Sequence, residues 1–84
     1  MNQSKFRELT VADQGILLLN EGKHLTVLKK ESQLLNLYSI EDFFVEVYYS
    51  FLSQTIEKIE IVSDYSKIDK YLDQITKEED FRLN

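Results

Sequence analysis

The feature that most constrains the fold is a central stretch in which two sets of side chains alternate. Along residues 43–51 one set is Phe43, Val45, Val47, Tyr49 and Phe51, and the other is Phe44, Glu46, Tyr48 and Ser50. Successive side chains of a β-strand point to opposite faces, so a period of two predicts a strand. The chain is therefore predicted to be built around a sheet that contains this strand.

Three further segments have the composition of strands. They span residues 25–29, 34–39 and 56–62, and each is rich in β-branched or aliphatic residues, which fit a pleated, half-buried surface. Short polar connections separate them. Together with the central strand they predict a four-stranded antiparallel meander.

A helix is predicted before the sheet. One helical face carries Leu9, Ala12, Ile16 and Leu19. Thr10 and Asp13 have the spacing of a capping box, and Gly22 suits the end of a helix. An alternative remains open for this segment, because Asn20, Glu21 and Gly22 also have the composition of a hairpin turn.

A second helix is predicted after the sheet, over residues 64–77. Apolar residues recur there at helical spacing, flanked by two tyrosines, with Asp64 or Ser66 as the cap: Tyr65, Ile68, Tyr71, Leu72 and Ile75. Residues 1–9 and 78–84 are predicted to be loosely ordered ends of a single domain spanning residues 1–84. The predicted fold is α+β, in the order αββββα, with both helices packed on one face of the sheet.

The register of the strands determines which residues share a face, because a slip of one residue turns every side chain over. If residues 40–42 connect the second and third strands, Leu37 faces Val45 and Leu35 faces Val47, with Asp42 at a left-handed turn position. In this register the helices cover a core that includes Leu25, Val27, Leu35, Leu37, Val45, Val47, Tyr49, Ile59 and Ile61. The opposite face then carries aromatic and aliphatic residues.

That opposite face predicts an interaction surface. A sheet covered on one side normally turns polar residues to water, and a large exposed apolar patch suggests a partner. The predicted interaction residues are Leu28, Leu34, Tyr38, Phe44, Glu46 and Tyr48. We expect a non-enzymatic interaction module that pairs with a protein partner or with itself as a homodimer, through this face or through a sheet edge. An acidic immunity-type or antitoxin-type inhibitor of a basic partner belongs to the same class.

The competing hypothesis is a small-ligand site or minor enzyme near His24, Tyr38 and Glu46. A histidine near a tyrosine and a carboxylate is the type of group that supports acid–base catalysis. A mid-strand carboxylate is also a candidate functional group when it is buried. The structural alternative is that Glu46 pairs across the sheet with Lys58 and that His24 is an ordinary surface residue.

Composition excludes several other classes of function. The chain has 84 residues and no cysteine, which rules out disulfides and thiolate chemistry and favours the reducing cytoplasm. The net charge of −5 disfavours nucleic acid as a partner. With two glycines and one histidine, neither a phosphate-binding loop nor a histidine-rich metal site is expected, so no cofactor is predicted.

The N-terminal residues and the apolar runs do not suggest a membrane protein. Residues 1–10 lack an apolar stretch of signal-peptide length. The longest unbroken apolar run, residues 16–19, is far shorter than the roughly 20 residues that cross a bilayer. We therefore expect no membrane partner.

A resemblance rests on the central residues. Leu37-Tyr38, the run Phe43-Phe44-Val45-Glu46-Val47-Tyr48-Tyr49, and Ile56 and Ile59, preceded by Gly22 and Leu25, resemble small uncharacterised bacterial proteins of the Bacteroidetes type. The similarity covers residues 16–62. It implies a small α+β domain and no activity for any residue.

Overall fold

The computed structural model describes residues 1–72, and these residues form an α+β domain. Its elements are α1 (Gln3–Glu8), α2 (Val11–Glu21), β1 (Lys23–Lys30), β2 (Gln33–Ile40), β3 (Phe43–Ser50), β4 (Thr55–Ile61) and a 3₁₀ helix (Tyr65–Ile68). Residues 69–72 continue as helix. The predicted order, with a helix on either side of four strands, is confirmed. The predicted continuation to residue 77 and the tail 78–84 lie outside the described residues.

The four strands form an antiparallel meander in the order β1-β2-β3-β4, as predicted. Each strand pairs with the next along the chain through a short turn. Glu31, Glu41 and Gln54 adopt positive φ angles of 54°, 52° and 57°. One of them lies in each turn, so three non-glycine residues take the left-handed conformation that these tight connections require.

Side-chain caps define where the N-terminal helices begin. The Asn2 side chain accepts a hydrogen bond from the Lys5 N–H at 2.9 Å, and the Thr10 hydroxyl accepts one from the Asp13 N–H at 3.1 Å. The predicted cap at Thr10 is thus confirmed, and residues 11–21 are helix rather than part of a hairpin. Among residues 1–72, no helix is long and apolar enough to cross a bilayer.

The first residues of the chain differ from their prediction. Residues 1–9 were expected to be loosely ordered, but α1 forms there and the Phe6 side chain is fully buried. The Phe6 carbonyl also accepts a hydrogen bond from the buried Gln14 amide at 2.9 Å. A single large aromatic side chain in a short polar segment is enough to dock it, because its burial removes about 150–250 Å² from water.

Gly22 ends α2 through a close approach rather than through a left-handed backbone. Its φ is −83°, and its N–H donates to the Leu18 carbonyl at 2.9 Å. A Cβ atom at this position would lie 2.7 Å from the same carbonyl oxygen. We therefore expect Gly22→Ala to lower the free energy of unfolding by about 1–3 kcal/mol, as measured by urea denaturation.

Gly15 provides the matched control, with the opposite sign. A Cβ atom there would meet only the Ile56 methyl group, at 3.9 Å, which is an ordinary contact. Because glycine costs a helix about 1 kcal/mol relative to alanine, Gly15→Ala should raise the free energy of unfolding by about that amount. Equal effects from the two substitutions would contradict this account of both glycines.

The register between β2 and β3 differs from the prediction by one residue. Ile40 belongs to β2 and pairs with Phe43, so Leu37 lies opposite Glu46 rather than Val45. Glu41, rather than Asp42, adopts the left-handed conformation. Because the side-chain period is two, this shift turns β2 over relative to β3. Leu35 and Leu37 therefore lie on the same face as Phe44, not on the face of Val45.

Both faces of the sheet are consequently covered, at least in part. The helix-side face carries Phe43, Val45 and Val47, which lie beneath helices as predicted. The helical residues that pack against them differ from the predicted ones and are Phe6, Leu17 and Leu18. The second face packs against residues 62–72, the C-terminal segment, through Val62, Ile68 and Tyr71. The prediction that both helices pack on one face is thus corrected. The sheet lies between α1 and α2 on one side and the C-terminal segment on the other.

Candidate functional site

The structure distributes the predicted interaction residues over both faces of the sheet. The reversed register of β2 separates them. Four of them lie on the second face. Leu28, Phe44 and Tyr48 pack with the C-terminal segment, and Glu46 is a buried carboxylate. Leu34 and Tyr38 lie on the helix-side face. These six residues therefore do not form one surface.

The aromatic part of the predicted interface is covered by this chain. Val62 and Tyr71 are buried in one cluster with Leu35 and Leu37, and Phe44, Tyr48 and Ile68 pack around that cluster. The prediction had assigned the C-terminal helix to the other face. The second face is therefore a second core rather than an open aromatic surface.

Glu46 anchors the C-terminal segment through a network of charge-assisted hydrogen bonds. Its side chain is 1% exposed. The Tyr71 hydroxyl donates to Oε2 at 2.7 Å, and Lys70 Nζ lies 3.0 Å from the same atom. The Tyr48 hydroxyl lies 3.4 Å from Oε1. Both carboxylate oxygens have partners, as a buried charge requires.

The sequence singled out Glu46 but identified the wrong cation. Lys58, the predicted partner, instead forms an ion pair with Glu60 at 3.1 Å and lies 4.4 Å from the centre of the Tyr48 ring. The partner is Lys70, from a segment predicted to pack elsewhere. The positions of Glu46 and Lys70 along the chain give no indication that the two residues pair, because their contact depends on which face of the sheet the C-terminal segment covers.

The tyrosines around Glu46 are held in their protonated form. Burial raises the pKa of Tyr48 to about 12, and the negative charges of Glu46 and Glu60 add to the effect. Burial also raises the pKa of Tyr71 far above its ordinary value, reinforced by the hydrogen bond to Glu46. A general acid or base works best with a pKa near the operating pH. These hydroxyls are suited to donating hydrogen bonds, not to proton transfer at neutral pH.

The raised pKa values predict a loss of stability in alkali. In the unfolded chain a tyrosine loses its proton near pH 10, whereas the folded chain retains the proton on Tyr48 up to about pH 12. The folded state therefore binds more protons than the unfolded state in this range. We expect the stabilisation to be complete below pH 10 and to fall as pH rises toward 12, as followed by urea denaturation at each pH.

Tyr71→Phe is the control for this pH dependence. It removes one of the two titrating hydroxyls and leaves the lysines, which also titrate in alkali, unchanged. The variant should be less stable at pH 8 and should lose less additional stability between pH 10 and 12. Identical pH dependence in the two proteins would contradict the role assigned to the Tyr71 hydroxyl.

The predicted ligand site around His24 is also divided by the sheet. His24 does approach Tyr38, with ring centres 5.1 Å apart, and its Nε2 lies 3.0 Å from the Asn36 side-chain oxygen. Glu46, the third member, lies on the opposite face. Within residues 1–72, no group of three or more His, Cys, Asp or Glu side chains is arranged to hold a metal ion.

Within residues 1–72, an apolar surface remains open on the helix side of the sheet. On α2, Leu19 is 78% and Ile16 is 56% exposed. Beside them the sheet contributes exposed or half-buried side chains. We call this surface the α2 face. Ile16, Leu19, Tyr38 and Ile56 line one groove, and Val27 and Leu34 lie farther along the same side of the sheet.

The orientation of α2 is the main departure from the sequence at this surface. The stripe of Leu9, Ala12, Ile16 and Leu19 was predicted to face the core, yet Ile16 and Leu19 point to solvent. The α2 side chains that are buried are Gln14 and Leu18. The available signal was the apolar run 16–19, because four consecutive side chains of an α-helix point in different directions and cannot all face one sheet.

A groove of about 270 Å³ runs along this surface between α2 and the sheet. Ala12 and Gly15 line it on the helix side, and Tyr38, Val47 and Ile56 line it on the sheet side. Because Ala12 and Gly15 have small side chains or none, the backbone of α2 is accessible from the groove.

Comparison with known proteins identified no matching family model, no similar curated protein and no similar solved structure. The resemblance to small bacterial α+β proteins therefore stays a prediction.

Proposed function

We propose that this chain is a non-enzymatic protein-interaction module and that the α2 face is its docking surface. The observation that carries the proposal is the outward orientation of Ile16 and Leu19 on a helix that already buries Leu18 against its own sheet. The interaction predicted from the sequence thus moves to the opposite side of the sheet. Leu34 and Tyr38 are the two predicted interaction residues that remain part of it.

The cost of this exposure supports a binding role. A domain of 84 residues buries only about 60% of the surface that its unfolded chain exposes, so apolar area left in water is a large fraction of what the fold has available. Gly15 adds a further cost of about 1 kcal/mol in helix propensity, although the structure has room for a Cβ atom there. Two unfavourable features at one surface are typical of a functional site.

The lining of the groove favours a protein surface over a small ligand. Its volume of about 270 Å³ is close to the lower limit of ligand pockets, which have roughly 300–1,000 Å³. Its lining is almost entirely aliphatic, with Tyr38 the one residue that carries a polar side-chain group. Ligand pockets usually place several polar groups around their occupant. A groove of this kind fits apolar side chains of another protein.

Strand addition at a sheet edge, the other route considered from the sequence, is less compatible with the structure. The free edge of β1 carries Lys23, Lys29 and Lys30, and its pairing with β2 shifts register at Leu25. The pairing of β4 with β3 also shifts, at Glu57. Lysines and bulges are the features by which natural sheets discourage edge-to-edge pairing.

The test compares two leucines of similar exposure. Leu19→Glu places a charge on the α2 face, whereas Leu52→Glu places it in the β3–β4 turn, where Leu52 is 86% exposed. Each tagged variant is used to recover proteins from cells that express the chain. We expect wild type and Leu52→Glu to recover the same binding protein, and Leu19→Glu to lose it. Untagged copies of this chain count as a binding protein in this test.

Both variants are expected to fold as wild type does, because neither leucine is packed in the core; circular dichroism and urea denaturation check this. The proposal is contradicted if every protein recovered with wild type is also recovered with Leu19→Glu.

A further inference from the structure

We infer that the occupant of the α2 face is a second copy of this chain, related by a two-fold axis, with the two α2 helices side by side between two sheets. This inference rests on the proposed function and names its partner. In such an arrangement each helix contacts its own sheet on one side and the sheet of the second copy on the other.

The first argument is that the described part of the monomer has one uncovered apolar helix face and one uncovered apolar sheet face, and each could cover the other in a second copy. Among residues 1–72, α2 buries Leu18 against its own sheet, whereas Ile16 and Leu19 remain 56% and 78% exposed. The helix-side face has the converse need, since Val27 is 39% exposed and Ile56, which meets α2 at Gly15, is still 42% exposed. A second copy supplies a sheet to the helix and a helix to the sheet in one symmetric contact, which is the property of an isologous interface.

The second argument is shape. The most exposed apolar side chain of α2, Leu19, and the notch made by Ala12 and Gly15 occur on the same helix, within two turns of each other. A two-fold axis places Leu19 of each copy against the notch of the other. A cavity of about 150 Å³ holds a benzene molecule, so a groove of about 270 Å³ has room for a leucine side chain.

The third argument is charge. α2 carries two carboxylates, Asp13 and Glu21, and no basic residue. β1, which borders the open part of the helix-side face, carries Lys29 on that face, opposite Leu34. A helix from a second copy that crosses onto this part of the sheet brings carboxylates toward Lys29. Opposite charges at the rim favour this orientation over others.

The area indicates a weak dimer. The α2 face consists of six residues, far fewer than the roughly 20–30 residues and 800 Å² per partner of a standard stable interface. Interfaces of that size belong to transient complexes. We therefore expect dissociation in the micromolar to millimolar range, with a monomer that is folded on its own.

Sedimentation equilibrium from micromolar to millimolar concentration tests the inference. Wild type and Leu52→Glu should show the same monomer–dimer equilibrium, and Leu19→Glu should raise the dissociation constant about tenfold or more, as truncating a central interface residue does. The inference is overturned if wild type stays monomeric throughout, or if Leu19→Glu dimerises as tightly as Leu52→Glu.

Cross-linking provides a second measurement, because the natural chain contains no cysteine. Ile16 lies at the middle of α2, so Ile16→Cys brings the two new thiols near the two-fold axis. A short bis-maleimide should link Ile16→Cys into dimers in a concentration-dependent way and should leave Leu52→Cys as monomer. Equal cross-linking of the two variants overturns the inference.

The two proposals fail in different ways. The chain could be strictly monomeric and bind a different protein, and Leu19→Glu could abolish that binding. This result would overturn the second copy as occupant but would leave the α2 face as the docking surface. A monomeric chain with no partner that depends on Leu19 overturns both.

Discussion

Replacing Tyr71 with alanine is expected to lower the free energy of unfolding by about 3–5 kcal/mol, the usual cost of deleting a large buried aromatic side chain. Tyr71 is fully buried in the second core, between Val62 and the leucines of β2. The substitution also removes the hydroxyl that donates to Glu46 at 2.7 Å. Losing one of the hydrogen bonds to this buried carboxylate adds to the cost. Urea denaturation followed by circular dichroism measures the loss.

Neighbouring substitutions separate packing from hydrogen bonding. Tyr71→Phe retains the ring and should cost about 1.5–3 kcal/mol, the usual contribution of a hydrogen bond to a charged group, while Lys70 remains as a partner of Glu46 Oε2. Leu72→Ala, at a half-exposed residue of the same segment, should cost less than about 1 kcal/mol. A double-mutant cycle of Tyr71→Phe with Glu46→Gln should show coupling, because the two side chains share one hydrogen bond.

A small effect of Tyr71→Ala would have a direct structural meaning. If the variant lost less than about 1 kcal/mol, the C-terminal segment would not be packed on the sheet in solution. The face that carries Phe44 and Tyr48 would then be open, and the interaction surface predicted from the sequence would regain its basis.

Phe6→Ala is expected to have an effect of the same size, about 3–5 kcal/mol, at the other end of the chain. The Phe6 ring is fully buried and meets the Phe43 ring edge-to-face, with centres 5.8 Å apart and planes at 71°. Such aromatic pairs contribute beyond the area they bury. Without this side chain, α1 has no other buried residue to hold it against the sheet.

Phe51→Ala is the matched control for Phe6. Phe51 is a partly exposed phenylalanine at the end of β3, and its removal should cost less than about 1 kcal/mol. If Phe6→Ala were equally mild, α1 would be undocked in solution, as the sequence had predicted for residues 1–9. Unfolding of both variants is measured with urea at one protein concentration, so that self-association does not affect the comparison.

The losses expected for Tyr71→Ala and Phe6→Ala are large relative to the total free energy of unfolding. A domain of this length has a free energy of unfolding of roughly 4–13 kcal/mol, so either substitution removes much of it. Ile16 and Leu19 are 56% and 78% exposed and lie three residues apart on one helix, beside an apolar groove, and this is the reason for assigning the α2 face to binding.

The candidate site was only partly accessible from the sequence. Leu34 and Tyr38 were identified, but with four residues that lie on the opposite face. Ile16 and Leu19 were identified as an apolar stripe and assigned to the core. A helical stripe indicates that a helix has a contact to make. It does not indicate whether that contact is with its own sheet or with another molecule.

The sequence by itself determined what depends on neighbours along the chain. The strand period around Val45, the cap at Thr10 and the order of helices and strands are local properties, and the structure confirms each of them. Tertiary structure alone decided which side of the sheet each element covers. A connection shorter by one residue, after Ile40, turned β2 over, and Glu46 found its cation in Lys70 rather than Lys58. These outcomes depend on packing between residues distant in sequence, because the period of two in a strand specifies alternation but not which face is buried.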